Sequence, residues 1–150
     1  MAGLYYEEFK VGMEFKHPLT RTITEMDNIM FCAMTHNPQP LHLDEEFSKK
    51  TEYGSRIVNS LFTLGLVIGV TVGDTTLGTT LGNLGMTDIR FKNPVFHGDT
   101  IHVVTKIKEM RESKSRPTAG LIVFEHYGFN QREQEICYVS RTGLMMKRPT

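Results

Sequence analysis

The sequence predicts an α+β fold, a single domain over residues 1–150 in which one long buried helix lies against an antiparallel meander. Three observations predict it. First, "SRIVNSLFTLGLVIGVTVG", Ser55 to Gly73, is apolar nearly all round, as a helix buried on most sides must be. Second, after Gly73 the period changes, and "LGNLGMTDIRFKNPV", "DTIHVVTKIKEMRES", "AGLIVFEHYGFNQ" and "EICYVSRTGLMMK" read as four strands. Third, Ile101, Val103, Thr105 and Ile107 alternate cleanly, as do Leu121, Val123 and Glu125, with turn signals at Gly98-Asp99 and "NQRE".

The elements before the long helix follow from local chemistry. Leu19 to Ile23 alternates as a short early strand. Thr24 reads as a helix N-cap with Asp27 three residues on, which approximates a capping box. Met26, Ile29, Met30, Ala33 and Met34 then recur at helical spacing, predicting a short helix whose stripe belongs to the core. In "MTHNPQPLHLDEEF", Pro38 and Pro40 exclude a regular helix and push Asn37 and Gln39 toward extended conformations. The result is a stiff loop holding polar side chains in set directions, a common setting for chemistry. Asp44 reads as a second N-cap, with Glu45 and Glu46 stabilised by the helix N-terminus and Tyr53-Gly54 closing that short helix. Gly65 and Gly69 suggest close packing of the long helix against the sheet.

One helix cannot cover both faces and the edges of a five-stranded sheet, so a homodimer or higher homo-oligomer is expected. The 17 basic and 17 acidic residues cancel, and no basic stripe with interleaved aromatics argues for nucleic acid. "MAGLYYEEFKVG" lacks the pattern of a signal peptide, and "LFTLGLVIGVTVG" is too short to span a bilayer. No membrane association and a cytoplasmic location are expected. Cys32 and Cys137 form no CxxC pair, and His36, His97 and His102 have no metal-cluster spacing, so they read as structural or surface residues and no metal is expected.

Three matches in order carry a resemblance over most of the chain, from about Phe9 to the last strand. "THNPQPLH", Thr35 to His42, is similar to the hydratase motif S/T-G-D-x-N-P-L-H, and the acidic "LDEEF" follows it. "RIVNS", Arg56 to Ser60, resembles the I-V-H-G that opens the central helix, and "IRFKNPVFHGDTI" resembles R-F-x-x-P-V-x-x-G-D-T. The family so resembled is the MaoC-like dehydratases, which includes the R-specific enoyl-CoA hydratases. The resemblance implies a hot-dog fold, with the sheet wrapped around one central helix, and reversible hydration of a short-chain enoyl-CoA thioester without a cofactor. "NPQPLHLD" and "VNSLFTLGL" further resemble the branch that acts on branched C5 dicarboxylyl esters of mesaconyl- and itaconyl-CoA type.

Carried over residue by residue, the resemblance makes His42 the family histidine and puts Asn37 at the catalytic aspartate. Asn59 falls on the histidine of I-V-H-G and Ser60 on the glycine whose backbone N–H forms the oxyanion hole. Adding water across an enoyl thioester needs a base at Cβ, an acid at Cα and donors for the thioester oxygen. Histidine suits the first two tasks, and orphan N–H groups at a helix N-terminus suit the third. An amide cannot take a proton, so His42 must transfer it while Asn37 orients water or substrate. Ser60 would act through its N–H. An acyl carboxylate cannot be buried unpaired, which makes Arg56, ahead of the helix, the first candidate cation and Arg90 the second.

Two other readings stay open. A hot-dog thioesterase would want an acidic base on the central helix, and Ser55 to Gly73 contains none. A non-catalytic acyl-CoA binding or regulatory protein is the reading that Asn37 favours. Asn37 before Pro38 is also a plain turn initiator, and Asn59 a plain helix cap.

Overall fold

A computed structural model describes residues 3–149. A 3-10 turn, Tyr6–Glu8, leads into two short strands, β1 (Glu14–Lys16) and β2 (Arg21–Thr22). Three helices follow, α1 (Glu25–Met34), α2 (Pro40–Leu43) and α3 (Glu45–Ser48), then the long α4 (Ser60–Thr75). Four strands complete the chain: β3 (Thr80–Arg90), β4 (Thr100–Glu112), β5 (Ala119–Phe129) and β6 (Glu135–Met146). The sheet runs β1-β4-β5-β6-β3 with every pair antiparallel, and β2 pairs with the start of β4.

The alternation read in β4 is the inward face of this sheet: Ile101, Val103, Thr105 and Ile107 are each 2 % exposed or less. Against that face α4 sets Leu64, Val67 and Val70, which cluster with Ile101, Val103, Ile136 and Val139. Gly128 in β5 permits the approach, because a Cβ there would lie 2.5 Å from a Val67 methyl. A second cluster, Phe9, Ile107, Ile122, Phe124 and Met145, closes the far end beneath the N-terminal segment.

Thr24 caps α1 as read, its Oγ1 accepting from the Asp27 N–H while the Asp27 carboxylate accepts from the Thr24 N–H. Asp44 caps α3 through the Phe47 N–H. Four expectations need correction. The stripe of α1 is not core: Met26, Ile29, Met30 and Met34 are exposed, and the buried residues of the helix are Asn28 and Cys32. Periodicity shows that a face is apolar, not what covers it. The long helix starts at Ser60 rather than Ser55, because Ile57 is held in a β-bridge with Phe96 and Asn59 takes the capping position. Its side bearing Leu61, Gly65 and Gly69 is open, with nothing within 4 Å of a Cβ built at either glycine. Finally, the proline loop contains one helical turn, α2, since Pro40 occupies the first helical position, where its missing N–H costs nothing.

Between α4 and the sheet runs a polar chain that the sequence did not suggest. Arg141 Nε donates to His126 Nε2 at 3.1 Å, so His126 carries its proton on Nδ1 and donates to Thr105 Oγ1 at 2.8 Å. The Thr105 hydroxyl has its own proton to give and donates it to His17 Nε2 at 2.7 Å, and His17 Nδ1 donates to Asp74 at 2.8 Å. The donors all point from the cation to the anion. His17, Thr105, His126 and Arg141 are buried, and the guanidinium also lies over the Phe124 ring. Burial, then the nearby Arg141 and His17, hold the His126 imidazole well below its ordinary pKa, and burial lowers Arg141 to about 10.

The pH consequence has a definite sign. His126 is bound neutral in the fold and titrates in the unfolded chain near the ordinary histidine value of about 6.5. Its contribution is therefore complete above that value and shrinks as pH falls below it. Thr105→Val leaves two buried imidazole nitrogens without partners. A loss of about 2–5 kcal/mol is expected, read by urea unfolding at neutral pH; a loss within error of zero would mean that the chain contributes nothing.

Candidate active site

The proline loop and the N-terminus of α4 meet through backbone groups of the segment between them. His42, in α2, places Nδ1 2.8 Å from the Ile57 carbonyl, and Ile57 N–H donates back to the Leu41 carbonyl. A carbonyl can only accept, so Nδ1 carries the proton and Nε2 presents the lone pair. Among the described residues no partner is recorded for that Nε2.

Asn59 is the N-cap of α4, its Oδ1 accepting from the Leu61 N–H at 3.0 Å. The N–H of Ser60, the first helical residue, has no recorded acceptor among the described residues. It therefore belongs to the donors that a helix start leaves for an incoming anion. Ser60, Ile57, Val58, Thr63, Lys92 and Pro94 line part of a cavity of about 210 Å³. The helix N-terminus thus opens on a cavity whose wall includes Ile57, the residue that anchors His42.

Asn37 is placed apart. It lines a different pocket, beside Ile29, Cys32, Ala33, His36, Pro38 and Leu43. Its Oδ1 accepts from the Gln39 N–H at 3.1 Å, a turn closed over Pro38. Its neighbour His36 has φ of 53°, a left-handed conformation that turns the chain out of α1.

Arg56 has a job inside the chain. Its guanidinium meets Glu25 of α1 at 2.7 Å and Glu45 of α3 at 2.8 Å, and the Glu45 carboxyl is lowered chiefly by its hydrogen bond to Arg56. Arg90 lies over the Tyr138 ring at 5.1 Å. Lys92, on the cavity wall, pairs with Glu135 at 3.0 Å. Asp74, the acid of α4, is at the helix's other end and held by His17.

Sequence reasoning missed Asn28. It is fully buried, its Oδ1 accepts from the Asn59 N–H at 2.9 Å, and its Nδ2 reaches the carbonyls of Ile57 and His42. The available signal was an asparagine on the inner side of an amphipathic helix, a position that requires hydrogen-bond partners. Among the described residues no group of three or more His, Cys, Asp or Glu is placed to hold a metal.

Residues 8–125 match the MaoC like domain. Over 149 residues the chain is 27% identical to the mesaconyl-CoA hydratase of Cereibacter sphaeroides, covering 99% of this chain and 43% of that one. It thus spans about two fifths of that relative's length. The 3-hydroxybutyryl-CoA dehydratase of Methylorubrum extorquens is 32% identical over 113 residues, 75% of this chain and 69% of its own. Among solved structures, a monoamine oxidase regulatory protein from Archaeoglobus fulgidus superposes with a TM-score of 0.87 at 29% identity, covering 99% of this chain and 98% of that one. A Mycobacterium tuberculosis protein described as a double hot-dog fold superposes at 0.88 and 18% identity, over 98% of this chain and 45% of that one, which speaks to fold alone. The sheet wrapped on α4 is the hot-dog fold, and the chain belongs to the MaoC-like domain family of dehydratases.

Proposed function

We propose that the chain catalyses reversible hydration of a short-chain enoyl-CoA thioester. One observation carries the reading: the Ile57 carbonyl fixes His42 with Nε2 free, on a segment that also lines the cavity at the α4 N-terminus. In the hydration direction, water approaches Cβ and gives a proton to His42 Nε2. The thioester oxygen gathers charge and is met by the Ser60 N–H, assisted by the α4 dipole. The imidazolium returns the proton to Cα, so His42 is acid and base in turn. Asn59 shapes the helix start, and Asn37, whose Oδ1 closes the turn over Pro38 in a separate pocket, braces the loop and takes no proton.

Branched or dicarboxylyl acyl groups remain our preferred substrate class. A carboxylate on the acyl chain has to compete with carboxylates already present. At Arg56 it would displace two, Glu25 and Glu45, around a mostly buried guanidinium. At Lys92 it would displace only Glu135 from a half-exposed ammonium, a type of pair worth about 0–1 kcal/mol. Lys92 is therefore the better cation, and Arg56 is read as the tie between α1, α3 and the entrance to α4.

The same reading includes a homodimer. The edge strand β3 exposes Leu81, Leu84, Met86 and Ile89, and the open side of α4 exposes Leu61. Unpaired backbone and apolar side chains on one edge call for a second copy, and light scattering on the purified chain reads it directly.

A second reading, a non-catalytic acyl-CoA binding protein, is favoured by Asn37, whose amide is spent on a turn in a separate pocket. A thioesterase is disfavoured by the engagement of Asp74 with His17 at 2.8 Å.

The deciding experiment incubates the protein with crotonyl-, mesaconyl- and itaconyl-CoA, following enoyl absorbance and product mass. Turnover is expected, and His42→Ala should lower it by about a thousandfold. Binding without turnover would favour the binding protein, and full activity in His42→Ala would remove His42 from the mechanism. Lys92→Leu should weaken a dicarboxylyl ester about tenfold more than crotonyl-CoA, whereas Arg56→Leu should harm both alike. Equal losses in Lys92→Leu would remove the carboxylate assignment.

A further inference from the structure

We propose that Asn28 is a positioning residue for His42 and that His97 sets its hold, so that protonation of His97 releases the catalytic loop from the start of α4. The proposal rests on the hydratase reading for its effect on rate, but its structural core does not.

Asn28 Oδ1 accepts from the backbone N–H of Asn59, 2.9 Å away, and that donor has no alternative role. Nδ2 must then face the other side, where the carbonyls of Ile57 and His42 lie at 3.2 and 3.3 Å. Backbone groups cannot exchange donor and acceptor, so these three contacts fix the amide without reference to any side chain.

The fourth contact is different. His97, between β3 and β4, places Nε2 3.0 Å from Asn28 Nδ2. The amide nitrogen has only hydrogens to offer, so Nε2 must hold a lone pair and the His97 proton must sit on Nδ1. If His97 takes a second proton, Nε2–H faces Nδ2–H, donor against donor. Turning the amide over would satisfy His97 but set Nδ2 against the Asn59 N–H and Oδ1 against two carbonyls. Neither orientation satisfies every group once the imidazole is charged. The two Nδ2 hydrogens already serve three acceptors, and repulsion from a protonated Nε2 3.0 Å away falls on the two carbonyl contacts, the longer ones at 3.2 and 3.3 Å, which tie His42 and Ile57 to the helix cap.

The charged groups facing His97 are Arg56 ahead of α4, Glu25 at the start of α1 and Glu45 at the start of α3. Burial, first, and Arg56, second, hold its pKa below the ordinary value, while the two glutamates oppose them. The latch is thus closed at neutral pH and opens as pH falls. Ile57 links it to chemistry, since its carbonyl receives both Asn28 Nδ2 and His42 Nδ1–H.

Replacing Asn28 bares several buried backbone groups and threatens the fold, so the test is made at His97. Gln places an acceptor near the position of Nε2 and does not titrate. For hydration of the best thioester of the panel, kcat/KM is measured against pH in the native protein and in His97→Gln. Protonation of His97 should add a step to the acid limb of the native protein that the variant lacks. Equal limbs would overturn the proposal. A readout independent of turnover is the long-range 1H–15N spectrum of the imidazoles. The His42 Nδ1–H signal of the native protein should change as His97 titrates, and in His97→Gln that step should vanish. A His42 signal indifferent to His97 would overturn the latch even in an active enzyme. Absence of turnover with every thioester would overturn the hydratase reading, and the spectra would still decide the latch.

Discussion

The carbonyl of Ile57 is the point on which the site depends. It takes the proton-bearing nitrogen of His42 at 2.8 Å and the amide of Asn28 at 3.2 Å, and its residue bridges Phe96 in the connection between β3 and β4. A histidine on a loop ordinarily samples rotamers and both tautomers. Here one fixed acceptor selects one tautomer and directs Nε2 away from the protein's own backbone. Because the acceptor precedes the α4 cap by two residues, the same hydrogen bond ties His42 to a helix N-terminus. Preorganisation of this kind replaces an entropy loss that would otherwise fall in the transition state.

The scaffold makes such a join possible by keeping α4 rigid against the sheet. Gly128 lets the helix approach β5 closely, and the apolar cluster around Val67 fixes its height. The chain from Arg141 to Asp74 fixes the other end, since each member has one donor direction consistent with its neighbours. Apart from Arg141 Nη2, which has no partner among the described residues, the chain is hydrogen-bonded throughout, and such a chain specifies one packing more sharply than interchangeable apolar contacts do. The two polar systems divide the labour, one seating the distant end of the helix and the other the end that faces chemistry.

What the sequence made legible was local. Thr24 and Asp27 are three residues apart and need no knowledge of the fold, so their capping box could be read directly. The alternation of Ile101 to Ile107 likewise reports a face that any sheet would bury. The family motifs singled out His42 and Ser60 as candidates, yet the acceptor holding His42 is 15 residues away and is a backbone carbonyl, which no residue type announces. Asn28 was invisible because the backbone groups and the imidazole that hold its amide come from other segments. Two readings failed for one reason: the Met26–Met34 stripe and the Gly65–Gly69 side of α4 are apolar, and composition does not say whether the surface opposite lies in the same chain. Arg56 was judged by position ahead of a helix, while its neighbours in space, Glu25 and Glu45, decide its role.

The most direct test of the central claim is a crystal structure of the protein with a saturated, unreactive acyl-CoA such as butyryl-CoA. The account predicts the thioester oxygen about 3 Å from the Ser60 nitrogen and Cβ on the side facing His42 Nε2. His42 Nδ1 should remain on the Ile57 carbonyl. An acyl group seated elsewhere, or a His42 ring that leaves Ile57 when the ligand binds, would contradict it.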